Sequence, residues 1–226
     1  MSILNAVATA STGFTVHNPF NGQPVGEVAT ATPAEIVTAI TRAKSAQAAF
    51  RRSMPATRRA LLNALVAEIA GDADNLARII SSEMGKTIRE ARNEVRRAQN
   101  TLKLSGDAAT FLDGEALHCG IVEGGADRLA TITYEPVGVV GAITPFNYPL
   151  NLLCHKLGPA IAAGNAVVAK PSPKAPLAAA RLAELAEKAG WPPPPFQVVH
   201  GGADAALALA RGPVDLLSFT GGPAAG

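Results

Sequence analysis

The stretch from residue 137 to residue 173 decides the fold, and it reads VGVVGAITPFNYPLNLLCHKLGPAIAAGNAVVAKPSP. Its first apolar, β-branched run ends at Ile143 and predicts a buried strand. Because Pro145 and Pro149 exclude both a sheet ladder and a helix between them, they predict a shaped loop. Apolar residues then recur at helical spacing, and a second buried run delivers Lys170 to the same edge. Strand, loop, helix and strand form a βαβ crossover, and open α/β sheets bind ligands at such loops.

The segments on either side extend this pattern. Downstream, repeated helix and strand alternation predicts a parallel sheet with right-handed crossovers. Upstream, strand-like runs around Asn21-Gly22 predict a hairpin, and four helical segments lie between residues 32 and 113. Strand-like runs at 117–122 and 128–134 predict a second hairpin. The predicted fold class is α/β, with a helical N-terminal segment, a Rossmann-like parallel sheet and a projecting β-hairpin.

Composition and charge exclude several classes of protein. The 226 residues carry 20 basic and 18 acidic side chains, a net charge of +2, which argues against a nucleic-acid partner. No apolar run reaches the roughly 18 residues that a membrane helix needs, and no basic residues open a secretory signal. Two cysteines without such a signal fit a reducing compartment. We therefore expect a cytoplasmic protein with neither a nucleic-acid nor a membrane partner.

Cysteine and histidine are adjacent at two places, His118-Cys119 and Cys154-His155. Neighbouring side chains point to opposite faces of a strand and lie about 100° apart on a helix. Neither pair can therefore readily chelate a metal or relay a proton, and we expect no metal site. We expect Cys154, on the predicted crossover helix, to pack as a small hydrophobe.

Three short motifs, in this order and at this spacing, resemble signatures of the aldehyde dehydrogenase superfamily. They are Phe146-Asn147-Tyr148-Pro149, Lys170-Pro171-Ser172 and Ser218-Phe219-Thr220-Gly221-Gly222. The resemblance extends upstream through residues 18–22 and 83–91, so it covers nearly the whole chain from about residue 15. The first motif is most similar to the branch that acts on small hydroxy-, phospho- or phosphono-aldehydes.

The resemblance divides the chain into three parts and implies NAD(P)-dependent oxidation of an aldehyde to a carboxylic acid. Residues 1–113 would form the N-terminal hairpin and helices of the coenzyme domain, and residues 137–226 its Rossmann-like core. Residues 114–136 would form an oligomerisation hairpin, which implies a homo-oligomer because a partner subunit would cover the strand edges. Complete family members are longer and hold a cysteine nucleophile and a general-base glutamate further on. We therefore expect a truncated aldehyde dehydrogenase fold that is inactive alone.

The resemblance also assigns roles to residues at the strand ends. The side-chain amide of Asn147 would donate to the aldehyde oxygen as half of an oxyanion hole, whereas an Asn favoured by turn chemistry is the ordinary alternative. Lys170 would bind the adenosine ribose, whereas a lysine reaching water from a sheet edge is the ordinary alternative. The set implied for NAD or NADP is Ile143, Thr144, Pro145, Phe146, Lys170, Ser172, Pro173, Gly202, Phe219, Thr220, Gly221, Gly222 and Gly226.

Three departures from the family pattern bear on the coenzyme. Pro173 stands where an acid often follows Lys-Pro-Ser, and such an acid repels the 2′-phosphate of NADP. We therefore expect NADP to bind at least as well as NAD. Gly222 replaces the usual serine of the pyrophosphate turn, and Pro223 has no N–H to donate to a phosphate. We expect these two residues to weaken the binding of both coenzymes.

Two other interpretations stay open from the sequence. One is a non-catalytic nucleotide-binding or interaction module, and the other is a fragment of a broken gene. Translating the DNA that follows residue 226 in all frames for the cysteine and glutamate motifs would discriminate among these interpretations, because a gene broken by a frameshift should carry them in another frame and a separate module should lack them.

Overall fold

The computed structural model describes residues 13–112, 114–192, 195–224 and 226. The first half is an antiparallel hairpin followed by four α-helices and a second hairpin. These elements are β1 (Gly13–His17), β2 (Pro24–Ala29), α1 (Pro33–Phe50), α2 (Pro55–Gly71), α3 (Ala73–Met84), α4 (Ile88–Ala108), β3 (Glu115–His118) and β4 (Leu129–Ile132). None of the helices in the described part of the chain is long and apolar enough to cross a membrane.

The second half alternates strands with helices. Its elements are β5 (Val139–Ile143), α5 (Pro149–Ala162), β6 (Ala166–Lys170), α6 (Leu177–Lys188), β7 (Phe196–Val198), α7 (Ala203–Arg211) and β8 (Leu216–Phe219). The four strands form one parallel sheet in the order β7-β6-β5-β8. This confirms the predicted α/β class and the strand-loop-helix-strand unit on which the prediction rested.

Side chains of the sheet alternate between two hydrophobic cores. Val140 and Ala142 of β5 face a large core formed with α2 to α6, whereas Val139 and Ile143 face a smaller core formed with α1 and α7. Burial on both faces explains why these strands appear in the sequence as continuous apolar runs rather than as alternating ones. The central strands β5 and β6 are therefore covered on both sides, whereas the side chains of the edge strand β8 remain largely exposed.

The crossover helix α5 ends in a glycine-dependent cap. Gly164 has a φ of +83°, the left-handed conformation that a side chain disfavours. Its N–H donates to the Ile161 carbonyl at 3.0 Å, and the Asn165 N–H donates to the Ala160 carbonyl at 2.9 Å. This pair of bonds is the Schellman arrangement, and it confirms the helix end predicted at Gly164-Asn165.

Two predicted element ends are wrong. The strand predicted over residues 117–122 ends at His118, because Cys119–Ile121 form a 3₁₀ turn and local backbone bonds close the loop. The helix predicted to reach about residue 113 ends at Ala108 and continues only as a 3₁₀ turn; residue 113 lies outside the described residues. At this end the Thr110 hydroxyl donates to the Asp107 carbonyl at 2.7 Å, a local bond that competes with the helical ladder.

Candidate functional site

The order of the strands predicts a ligand crevice between β5 and β8. From β5 the chain moves outward through β6 to β7, and then returns to place β8 on the other side of β5. In the ladder Ile143 is paired with both Lys170 and Phe219, so the three predicted motifs start at one edge. Open α/β sheets bind ligands at such a reversal of strand order. The fold thus brings Ile143, Lys170 and Phe219, three of the predicted site residues, to one edge.

The loop after β5 carries Asn147 at the surface of this edge. Tyr148, the next residue, is covered by two cations: the Lys86 ammonium lies 3.9 Å from the centroid of its ring and the Arg97 guanidinium 5.3 Å. Helix α5 begins at the following residue, Pro149. The loop is therefore short, and the contacts of Tyr148 with Lys86 and Arg97 hold it against the preceding helices. The oxyanion role of Asn147 remains a prediction.

Two buried carboxylates, which the sequence interpretation did not identify as site residues, hold the helices after the loops. Glu94 of α4 accepts the Leu150 and Asn151 N–H groups of α5 at 3.0 and 3.2 Å. Glu83 of α3 accepts the N–H groups of Leu177 and Ala178, in α6, at 2.7 and 3.1 Å. Because neither α5 nor α6 has a side-chain cap of its own, these acids act as caps supplied from elsewhere in the fold.

A signal for these carboxylates exists in the sequence. Glu94 lies three residues after Ala91 and four before Ala98, which are both on the buried face of α4. A charged residue on an apolar helical face needs a partner inside the protein. The pattern therefore predicts a buried, satisfied acid, although it does not identify the backbone groups that satisfy it.

Lys170 is buried at the end of β6 instead of reaching water, which disfavours the ordinary alternative for this residue. Its ammonium donates to the carbonyls of Pro171 at 2.9 Å and Gly201 at 3.3 Å, and burial lowers its pKa. Burial and the charge of Lys170 lower the pKa of His200 to about 4, so this imidazole is neutral at pH 7. The two named bonds use two of the three ammonium N–H groups, and ribose binding by the third stays a prediction.

The loop after β6 approaches the loop after β5. The Ser172 hydroxyl accepts the Lys174 N–H at 3.3 Å, and the Lys174 ammonium lies 4.9 Å from the Phe146 ring centroid. A cavity of about 350 Å³ separates these loops from β1 and the end of α3; it is lined by Phe146, Pro173, Lys174, Glu83, Met84 and the segment 15–19 near β1. Of the predicted coenzyme residues, Phe146 and Pro173 line this cavity.

The glycine-rich turn after β8 is built around one aromatic ring. A Cβ atom at Gly221 would overlap the ring of Phe219, and a Cβ at Gly226 would lie 3.3 Å from it. At Gly222 a Cβ would meet open space, so packing does not require glycine there. Gly202 precedes α7 at the end of the neighbouring loop. Phe219 ends β8 and the four glycines lie in loops beyond strand ends; the contacts of these residues with a coenzyme remain predictions.

The cysteines do not belong to this edge. Cys154 is fully buried in the larger core, where burial and the charge of Glu94 raise its pKa, as expected for a small core residue. Cys119 begins the 3₁₀ turn of the β3–β4 hairpin. Across the described ranges, no group of three His, Cys, Asp or Glu side chains could hold a metal ion.

Fold and site together define the class of open, doubly wound α/β proteins with a ligand crevice at the reversal of strand order. Within that class, the chain belongs to the aldehyde dehydrogenase family, whose model matches residues 6–226. This confirms the family that the three motifs indicated.

Individual relatives show how much of a family member is present. Aspartate-semialdehyde dehydrogenase 1 of Pseudomonas canavaninivorans is 43% identical over 219 residues, which are 96% of this chain and 46% of that protein. The 3-sulfolactaldehyde dehydrogenase of Priestia aryabhattai is 41% identical over 93% of this chain and 44% of its own length. A crystal structure of NADP-dependent glyceraldehyde-3-phosphate dehydrogenase from Bacillus halodurans, complexed with NADP, superposes with a TM-score of 0.91 at 32% identity. That match covers 93% of this chain and 45% of the other. The chain thus spans less than half the length of these proteins.

Proposed function

We propose that this chain supplies the N-terminal coenzyme-binding part of an NAD(P)-dependent aldehyde dehydrogenase, together with half of its oxyanion hole. The observation that supports it best is the reversal of strand order at β5, where the Asn147 loop, Lys170 and the Gly221 turn lie at the carboxyl ends of three neighbouring strands. Among the solved relatives, one is complexed with NADP and another, a betaine aldehyde dehydrogenase of Staphylococcus aureus, with NAD⁺. That second structure has a TM-score of 0.87 at 30% identity.

The residues present fit such a coenzyme. The hydroxyl of Thr144 is buried at the crevice and has no hydrogen-bond partner among the described residues, an arrangement that folding alone does not favour. Lys170 retains an N–H for a ribose hydroxyl, and the turn at Gly221 brings backbone groups to the same edge. When bound, the coenzyme accepts hydride from the substrate. The protein residues would bind and orient it.

The proposed chemistry of this part of the enzyme is electrostatic. The Asn147 amide would donate to the aldehyde oxygen and stabilise the negative charge that develops there during nucleophilic attack. The nucleophile would come from residues outside this sequence, because Cys154 is enclosed in the core. The relatives are named for aspartate semialdehyde and 3-sulfolactaldehyde, and we include small aldehydes with an acidic group among the proposed substrates.

Calorimetric titration of the chain with NADP and NAD tests this proposal, with Thr144→Val as the decisive variant. Valine keeps the shape and removes only the unpartnered hydroxyl, so we expect about a fivefold or greater loss of coenzyme affinity without loss of stability. Thr133→Val, at an exposed position beyond β4, is the matched control and should leave affinity unchanged. Absence of binding at millimolar coenzyme by the wild-type chain would overturn the proposal.

A further inference from the structure

Helix α5, which follows Asn147, is capped by charged residues at both ends. At its start, one carboxylate oxygen of Glu94 accepts the N–H groups of Leu150 and Asn151. At its end, the Arg58 guanidinium donates to the Ala162 carbonyl at 3.1 Å. A negative charge at the N-terminus and a positive charge at the C-terminus both interact favourably with the helix dipole. The two contacts come from α4 and α2, so they fix the position of α5 along its own axis relative to the helical layer.

The Glu94 carboxylate is itself fixed by a second cation. Its other oxygen accepts the Lys86 ammonium at 2.6 Å, and the side chain of Glu94 is fully buried. The same ammonium covers the ring of Tyr148, the residue between Asn147 and the start of α5. Glu94 and Lys86 thus contact three of the four residues that follow Asn147, namely Tyr148, Leu150 and Asn151.

We infer that Glu94 is a positioning residue for Asn147. Asn147 lies three residues before Leu150, so the loop has little freedom once Tyr148 and the first turn of α5 are held. The carboxylate does not touch the aldehyde; it holds the backbone from which the Asn147 amide projects. Removing it should leave the oxyanion donor present and misplaced, a defect that catalysis by preorganised dipoles tolerates poorly. The inference rests on the proposed role of Asn147.

Glu83 offers a matched comparison inside the same protein. It also accepts two N–H groups at a helix start, but it caps α6 and lies below the loop after β6. Its two oxygens each accept one N–H group, whereas Glu94 uses a single oxygen for both. Glutamine at position 94 can therefore keep both caps through its carbonyl oxygen, while its amide N–H₂ cannot accept from Lys86, whose ammonium has to turn away.

TROSY NMR on the perdeuterated 226-residue chain tests the inference by amide exchange and by the backbone order parameter of Asn147. In Glu94→Ala, we expect the Leu150 and Asn151 amides to exchange about tenfold faster or more, and the Asn147 order parameter to fall. Glu94→Gln should largely restore both. Glu83→Ala should accelerate the exchange of the Leu177 and Ala178 amides and leave the Asn147 order parameter unchanged. If alanine unfolds the chain, Glu94→Asp, which keeps the charge and withdraws it from both N–H groups, should give the same local result.

Two outcomes would overturn the inference. One is faster exchange of Leu150 and Asn151 with no change at Asn147, because Glu94 would then cap α5 without positioning the loop. The other is a uniform acceleration in all strands and helices, because Glu94 would then contribute only to global stability. Neither readout involves a coenzyme, so a failure of the chain to bind NADP would contradict the proposed function without affecting this test.

Discussion

Two glutamates with the same task have different electrostatic surroundings. Glu94 receives the Lys86 ammonium as well as two backbone N–H groups. Glu83 receives two backbone N–H groups, and burial raises its pKa to about 7, helped by the negative charge of Glu94. The backbone bonds to Leu177 and Ala178 lower this pKa, but less than burial raises it. At the residue scale, Glu83 is thus a pH-sensitive cap of the helix that follows the Lys170 loop.

The free energy of unfolding should depend on pH through the titration of Glu83. Its pKa is 4.5 in the reference state and about 7 in the native protein, so the native state binds more protons in this window. The free energy of unfolding should therefore fall as pH rises from about 4.5 to about 7, on the order of 3 kcal/mol from this residue. Urea denaturation across this range should show that Glu83→Gln removes the decline. Glu187→Gln, on the exposed face of α6, should preserve it.

Pro173 makes a second prediction at the residue scale, which rests on the proposed function. The exposed loop at this position carries Lys174 and lacks an acid beside the predicted ribose site. We expect calorimetry to show that NADP binds at least as tightly as NAD, because no side chain of that loop repels a 2′-phosphate. Pro173→Glu should shift the ratio of affinities toward NAD by about tenfold, roughly 1.4 kcal/mol.

Pro173→Gln is the matched control for that experiment. It replaces the proline with a side chain that is as long as that of glutamate but uncharged. It should therefore leave the ratio of NADP and NAD affinities near the wild-type value. A wild-type preference for NAD, or an equal shift in the Glu and Gln variants, would show that charge at this position does not govern the choice of coenzyme.

At the scale of elements, helices α1 and α4 start at caps encoded in their own sequence. Thr32 accepts the Glu35 N–H at 3.3 Å, and the Glu35 carboxylate accepts the Thr32 N–H at 2.7 Å. Thr87 and Glu90 form the same reciprocal box at the start of α4. These helices therefore begin where local chemistry dictates, whereas α5 and α6 depend on acids from other helices.

Thr32→Ala tests how much such a local cap contributes. We expect the free energy of unfolding to fall by about 1 kcal/mol. The substitution removes the hydroxyl that accepts the Glu35 N–H, and the Glu35 carboxylate is no longer held in place to accept the Thr32 backbone N–H. Urea denaturation is the measurement. Thr38→Ala, in the interior of the same helix and exposed, is the control and should change stability by less than about 0.5 kcal/mol. Equal effects of the two substitutions would contradict a specific capping role.

At the scale of the whole molecule, the β3–β4 hairpin is a separate two-stranded sheet that pairs with no other strand of the described residues. Its apolar side chains face solvent, with Ile121 93% and Leu129 61% exposed. A two-stranded hairpin with such a surface is marginal by itself, and covering it by another subunit would remove apolar surface from water. This reasoning favours the oligomerisation role that the resemblance implied for residues 114–136.

We expect sedimentation analysis to show that the purified chain associates. The double substitution Ile121→Glu with Leu129→Glu should shift the distribution toward monomer, because burying a carboxylate in an apolar interface is costly. Phe20→Glu, at the 91% exposed position in the β1–β2 turn, is the control and should leave association unchanged. A monodisperse wild-type monomer with a sharp cooperative thermal transition would refute the expectation.

The 226 residues should not oxidise aldehydes. Cys154 is fully buried and its pKa is raised, whereas Cys119 lies on the projecting hairpin, so neither thiol is suited to attack an aldehyde held by Asn147. The measurement is aldehyde-dependent formation of NADPH or NADH, with a full-length relative as positive control. Activity that Cys154→Ser abolishes would contradict the prediction.

Most of the element order could be predicted because periodicity and end signals are local. The apolar run before Ile143, the loop prolines and the Gly164 helix end each predicted the observed structure from a few neighbouring residues. The end of β3 could not, since the pairing of His118 with Leu129 stops where backbone bonds of the intervening turns take over. Such competition between a ladder and a turn depends on residues that the strand pattern does not include.

The candidate site likewise has features that the sequence predicted and features that only the structure shows. The sequence by itself determined which residues lie at strand ends, since parallel strands deliver their carboxyl ends to one edge, and it indicated the family through motifs near Asn147, Lys170 and Gly221. Only the tertiary structure decided that Lys170 is buried against backbone carbonyls and that Glu83 and Glu94 cap α6 and α5. The physical reason is that burial and capping across helices depend on contacts between residues far apart in the chain. Periodicity shows that a side chain faces the interior, but packing alone determines which partner it finds there.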